Sequence, residues 1–90
     1  MSDKVSEAEL IKEINKAKEE IEIGARYRHS KSGREVTVLH IGLIEDDQEP
    51  AVIYQHEDGA KIIWVRPVED FIEEVEVDDE EVPRFVKIEE

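Results

Sequence analysis

Ala51-Val52-Ile53-Tyr54-Gln55, then His56-Glu57-Asp58-Gly59-Ala60, then Lys61-Ile62-Ile63-Trp64-Val65-Arg66-Pro67: this stretch decides how the 90-residue chain folds. Its two outer runs are β-branched and aromatic, the residues that suit a pleated, half-buried surface. Between them Glu57-Asp58-Gly59 carries the Asp-Gly signal of a tight hairpin. The spacing predicts paired strands over 51–55 and 61–65. Pro67 lacks the N–H that a ladder needs and biases Arg66 toward an extended conformation. It suits the first position of a helical turn, and Val68, Phe71 and Ile72 then share one face at helical spacing.

Working toward the N-terminus, Glu45-Asp46-Asp47-Gln48-Glu49-Pro50 is an acidic loop, and residues 35–43 form a second β-branched run. Lys31-Ser32-Gly33 has turn chemistry, and 26–29 is a short strand before it. Toward the C-terminus, Glu74-Val75-Glu76-Val77 alternates acid and apolar as an exposed edge strand does. Residues 78–81 are a polar turn, and 82–88 return as an extended segment anchored by Phe85. The order is a four-strand meander, one helical turn and a fifth strand. It predicts a mainly β fold with one N-terminal α-helix, a small SH3-like five-stranded partly open barrel. Closure helps a short chain remove its sheet edges.

The helix is predicted within residues 1–23, and the β-barrel domain over 24–90. Leu10, Ile14, Ala17 and Ile21 recur at helical spacing and draw one apolar stripe. Ser6 with Glu9 has the form of a capping box, and Gly24 stands where a left-handed residue ends a helix. An isolated helix of this length is marginal in water, so the stripe must bury itself on something. Two surfaces are open to it: the chain's own sheet, or a partner's helix in a monomer–weak homodimer equilibrium.

Composition narrows the function classes. The chain has 12 Lys and Arg against 25 Asp and Glu, a net charge of −13, and no cysteine. Disulfides, thiolate metal sites and a cysteine nucleophile are excluded. The opening residues are acidic rather than signal-like, and no apolar run reaches spanning length, so the expectation is a cytoplasmic protein that makes no membrane contact. The charge is uneven: residues 25–67 hold six Lys and Arg against seven acids, whereas 68–90 hold two against eleven. Phosphate affinity is built from Lys and Arg contacts, which weighs against casual nucleic-acid binding but leaves room for a local basic patch.

No phosphate loop, HExxH or nucleophile elbow occurs, and Ser2, Ser6, Ser30 and Ser32 lie in terminal or turn positions. No catalytic residue, metal or cofactor is assigned. His29, His40 and His56 fall on or near three strands without a metal-ligand motif; His40, on the face of Val36 and Val38, reads as half-buried. The candidate ligand-binding residues are the aromatic and basic set Tyr27, Arg28, His29, Lys31, Tyr54, Trp64 and Arg66. Rings beside guanidinium groups stack on a peptide, a base or a cation. The structural alternative places Tyr54 and Trp64 in the core and pairs Arg66 with Asp70 or Glu69.

Tyr27-Arg28-His29-x-Lys31, Val38-Leu39, Val52-Ile53-Tyr54-Gln55, Trp64-Val65-Arg66-Pro67 with Asp70-Phe71, and Val82-Pro83-Arg84-Phe85 together resemble the bacterial and phage domain-of-unknown-function family 1653. The resemblance runs from about residue 24 to 88 and omits the helix. It implies a compact β fold and a bacterial or phage source, and it assigns no activity. The leading functional expectation is a non-enzymatic binding module for a protein or peptide segment. The alternatives are nucleic-acid or nucleotide binding through a local basic and aromatic patch, and an acidic surface that mimics nucleic acid.

Overall fold

The computed structural model describes residues 6–89. Residues 1–5 of the predicted helical segment, and residue 90, lie outside the described residues. The helix α1 spans Glu7–Glu20; Ser6 is its N-cap, and the Ser6 hydroxyl accepts the Glu9 N–H at 3.3 Å. The helix ends before Gly24: Ile21 is its C-cap, in an extended conformation, and its N–H donates to the Ala17 carbonyl. Gly24, with φ +91°, instead forms the turn that leads into the sheet. Its N–H donates to the Val38 carbonyl at 2.8 Å and fixes the helix exit to the sheet.

Five antiparallel strands follow in one sheet: β1 (Arg26–His29), β2 (Glu35–Ile44), β3 (Glu49–His56), β4 (Ile63–Pro67) and, from the far end of the chain, β7 (Phe85–Lys87). Their order across the sheet is β4-β3-β2-β1-β7. The helical turn α2 (Val68–Ile72) follows β4, and a separate hairpin joins β5 (Glu74–Val77) to β6 (Glu80–Pro83). The mainly β architecture with an N-terminal helix, expected from the pattern, is the one observed. No helix among the described residues is long and apolar enough to cross a membrane.

Two details differ from the sequence pattern, each for a local reason. The strand after α2 is not the fifth strand of the main sheet. Asp78 and Asp79 both take positive φ, 54° and 68°, as a type I′ hairpin requires, so β5 folds back on β6 and Phe85–Lys87 takes the place beside β1. The sheet does not close, in keeping with the partly open form expected: β4 and β7 are its two unpaired edges. Finally, His40 is exposed rather than half-buried. The β2–β3 register shifts between Val38 and His40, and such a bulge resets the alternation of faces: Val36 and Val38 are buried, and then Ile41.

The core lies on one face of the curled sheet. Phe71, Ile21, Val36, Val38 and Val52 are its most completely buried side chains. Ala17 and Ile21 from α1 belong to the same cluster as the sheet residues, so the helix stripe packs on its own chain. Phe71, delivered by α2, is the hub. Its ring stacks on Phe85 at 4.2 Å and 6° between planes, and meets Tyr27 and Tyr54 edge-on at 5.5 and 5.6 Å. Offset-stacked and edge-to-face pairs each add about 0.5–1.5 kcal/mol beyond the area they bury. Phe71→Ala is therefore expected to cost about 3–5 kcal/mol in urea denaturation; a loss below about 1 kcal/mol would show that this ring does not hold the sheet edges together.

Candidate functional site

The strand register sets four side chains on one face beside the open edge. Val36 pairs with His56, Tyr54 with Trp64, and Val52 with Arg66. With a side-chain period of two, Tyr54 and His56 share the inner face of β3, and Trp64 and Arg66 share that of β4. His29 at the end of β1, Ser32 and Arg34 in the β1–β2 connection, and Phe85 on β7 complete a cleft of about 260 Å³. Gly33, with φ +77°, makes that connection tight, its N–H donating to the His29 carbonyl at 2.8 Å.

Arg66, Arg34 and His29 each have a defined partner in or beside the cleft. Arg66 Nε donates to Tyr54 Oη at 3.3 Å, and its guanidinium carbon lies 5.9 Å from the centre of the Phe85 ring. Among the described residues Arg66 has no carboxylate partner, so neither Asp70 nor Glu69 neutralises it. Arg34 Nη2 is paired with Asp58 Oδ1 at 3.1 Å. His29 Nδ1 accepts the Ser32 backbone N–H at 3.2 Å, which places the proton of the neutral ring on Nε2. The ring also meets Phe85 edge-on at 5.0 Å, and His56 lies 6.0 Å from Trp64.

The lining is two arginines, two histidines, one serine, one valine and three rings, with no carboxylate. In a chain with twice as many acids as bases, that is a local reversal of sign. The larger hollow between α1, the β2–β3 turn and α2, about 340 Å³, has the opposite character, lined by Glu13, Glu20, Glu49 and Glu69 with Lys16. There the Glu49 carboxyl is held above its usual range, first by the charge of Asp47 and then by partial burial, Glu69 and Asp70.

Of the seven candidate residues, His29, Tyr54, Trp64 and Arg66 come together in the cleft. Tyr54 belongs to the buried core and offers only its hydroxyl, whereas the Trp64 ring is exposed. Tyr27 is buried behind the site, its Oη accepting the Glu22 N–H at 3.0 Å. Arg28 points to the other side of β1, is 3.6 Å from Glu35, and lines a separate hollow with Ser30 and Val86. Lys31 stands exposed in the turn, close enough for its charge to act on His29. Ser32, Arg34, Val36, His56 and Phe85 also line this cleft, beyond the candidates that the sequence pattern suggests. Of these, His56 is the one with a sequence signal, since it stands two residues after Tyr54 on the same strand. Among the described residues no cluster of three His, Asp or Glu is arranged to hold a metal ion.

Partial burial lowers the His29 pKa from its ordinary 6.5, and the charges of Arg66, Arg84 and Lys31 lower it further. The folded protein thus resists protonation of His29 more than the unfolded chain does. The His29 contribution to stability is present above about pH 6.5 and is lost as pH falls through that value toward the lower folded midpoint. A ¹H–¹⁵N titration is expected to place the His29 midpoint below 6.5, and His29→Asn to remove that part of the acid destabilisation. A midpoint above 6.5 would contradict the electrostatics described.

Comparison with known proteins adds one result. No curated protein and no solved structure matches the chain. Residues 25–87 match the family model described as Protein of unknown function (DUF1653). The match covers all of the main sheet, α2 and the second hairpin, and leaves out α1. With well over half of its 90 residues matched, the chain belongs to that family.

Proposed function

We propose that the protein is a non-enzymatic binding module whose cleft takes an acidic side chain or chain end presented by a segment of another protein. One observation carries this reading: Arg34, Arg66, His29 and His56 converge on a cleft that has no carboxylate in its lining. Arg66 is the primary anchor. Its guanidinium already lies over an aromatic ring and has donors left after the bond to Tyr54, and a planar fork suits a carboxylate. A hydrogen bond to a charged group is worth about 1.5–3 kcal/mol. Arg34 serves second, because Asp58 already holds it.

The polar contacts favour binding over nucleophilic chemistry. Ser32 Oγ accepts the Arg34 N–H at 3.2 Å, and His29 Nδ1 takes the Ser32 backbone N–H rather than its hydroxyl. The pair is therefore not arranged as nucleophile and base. A second reading, a nucleotide held by base stacking, is favoured by the exposed Trp64 ring beside His56. The scatter of the remaining cations weighs against a longer nucleic acid. Arg26 and Arg28 engage Glu35 on the other side of β1, away from Arg34 and Arg66.

The single tryptophan lies in the cleft and reports on occupancy. Titration with blocked Glu-containing peptides is expected to change Trp64 fluorescence, and matched Lys-containing peptides are expected to leave it unchanged. Arg66→Gln should weaken binding about tenfold, or roughly 1.4 kcal/mol. Binding should tighten as pH falls from 7.5 to 5.5, because a bound anion offsets the charges of Arg66, Arg84 and Lys31 that oppose protonation of His29. Equal response to acidic and basic peptides, or indifference to Arg66→Gln, would reject the reading. Tighter binding of nucleoside monophosphates than of any acidic peptide would favour the second.

A further inference from the structure

β4 is an unpaired edge of the main sheet, and its protection differs from that of the other edges. The β5 edge of the small hairpin carries Glu74 and Glu76. The three-residue β7 edge carries Lys87, ion-paired with Glu22. On and just before β4, by contrast, Ile62, Ile63, Trp64 and Val65 are exposed at 49, 55, 44 and 59 %. Residues 59–68 contain no acid, in a chain with 25 acids among 90 residues. Native proteins blunt long apolar edges with charge, proline or a covering element, because such edges template further pairing. A contiguous exposed apolar patch on an otherwise charged protein marks an interaction surface.

The register tells which backbone groups are on offer. His56 N–H donates to the Ile62 carbonyl at 3.2 Å, and Tyr54 pairs with Trp64 two residues further along. In an antiparallel ladder the bonded positions alternate. Trp64 and Arg66 therefore turn their backbone groups toward β3, and Ile63 and Val65 turn theirs outward. Pro67 falls at the next outward position, has no N–H to donate, and ends the available ladder. The offer is two residues long. A strand added there lies about 4.8 Å from β4, with every second side chain on the cleft face beside Trp64 and Arg66.

We infer that an extended, acidic and aliphatic-rich segment of another protein adds as a strand along β4, with one acidic side chain entering the cleft at Arg66. The inference rests on the reading that the cleft's ligand belongs to a protein segment. Charge complementarity selects this occupant: Lys61 and Arg66 flank the apolar run, and Arg34 and His56 lie behind it. Main-chain bonds supply affinity in this mode, and alternate side-chain positions supply selectivity.

The test is selection of a random-peptide display library on the full chain, followed by synthesis of the enriched peptides. Enriched sequences should be acidic and aliphatic, and a bound peptide should slow amide exchange at Ile63 and Val65 at least tenfold. Val65→Pro removes an outward N–H and no bond to β3, so it should weaken binding at least tenfold. N-methylation of alternate peptide residues gives the same readout on the unaltered protein if that variant does not fold. Enriched peptides that bind without protecting Ile63 and Val65, and equally to Val65→Pro, would overturn strand addition; loss of their binding in Arg66→Gln would then leave the cleft reading standing. Absence of enrichment overturns the inference. So does a dimer in light scattering with Ile63 and Val65 already protected, which assigns the edge to a second copy.

Discussion

The stack of Phe71 on Phe85 is the contact on which the remaining structure depends. Phe71 follows β4 through a single helical turn, and Phe85 begins β7, so the two rings join opposite edges of an open sheet. Arg66 of β4, over the same Phe85 ring, is the other described contact between these two edges. The two tyrosines then fit edge-on against Phe71 from β1 and β3, as the quadrupoles of aromatic rings favour. Pro67 sets the geometry by ending β4 and starting α2 within one residue, which leaves no slack between strand and ring.

Much of this arrangement was legible in the sequence, and the remainder had identifiable causes. The helix start at Ser6, the meander, the turn after Pro67 and Phe85 as an anchor follow from capping, periodicity and proline chemistry. His40 was placed on the wrong face because a bulge at one residue reverses the alternation, and no turn residue announces it. The fifth strand was assigned to 74–77 because alternation alone says that a segment is a strand, not which neighbour it chooses. Two successive aspartates with positive φ made that choice, and Asp tolerates this conformation better than most residues.

The site shows the same division. His29, Tyr54, Trp64 and Arg66 were singled out as aromatic and basic residues close together in sequence, and three of them share one hairpin, where period and pairing bring them to one face. Tyr27 and Arg28 look equivalent to His29 in sequence. A strand nevertheless sends neighbours to opposite faces: Tyr27 went to the core and Arg28 to Glu35, and only the strand end at His29 reaches the cleft. Phe85 joined from twenty residues away through tertiary packing, which no local pattern encodes.

The open sheet and the cationic cleft have a common cause. Were β4 and β7 to pair and close the barrel, Arg66 would be enclosed over the Phe85 ring with Tyr54 Oη as its only described polar partner. Enclosing a guanidinium without an anion costs several kcal/mol, more than the few backbone bonds of a three-residue strand would return at about 1 kcal/mol each. An Arg66 without an anion thus disfavours closure of the sheet at β4 and β7. Among the described residues, the acid ion-paired to a cleft residue is Asp58, and it holds Arg34 rather than Arg66.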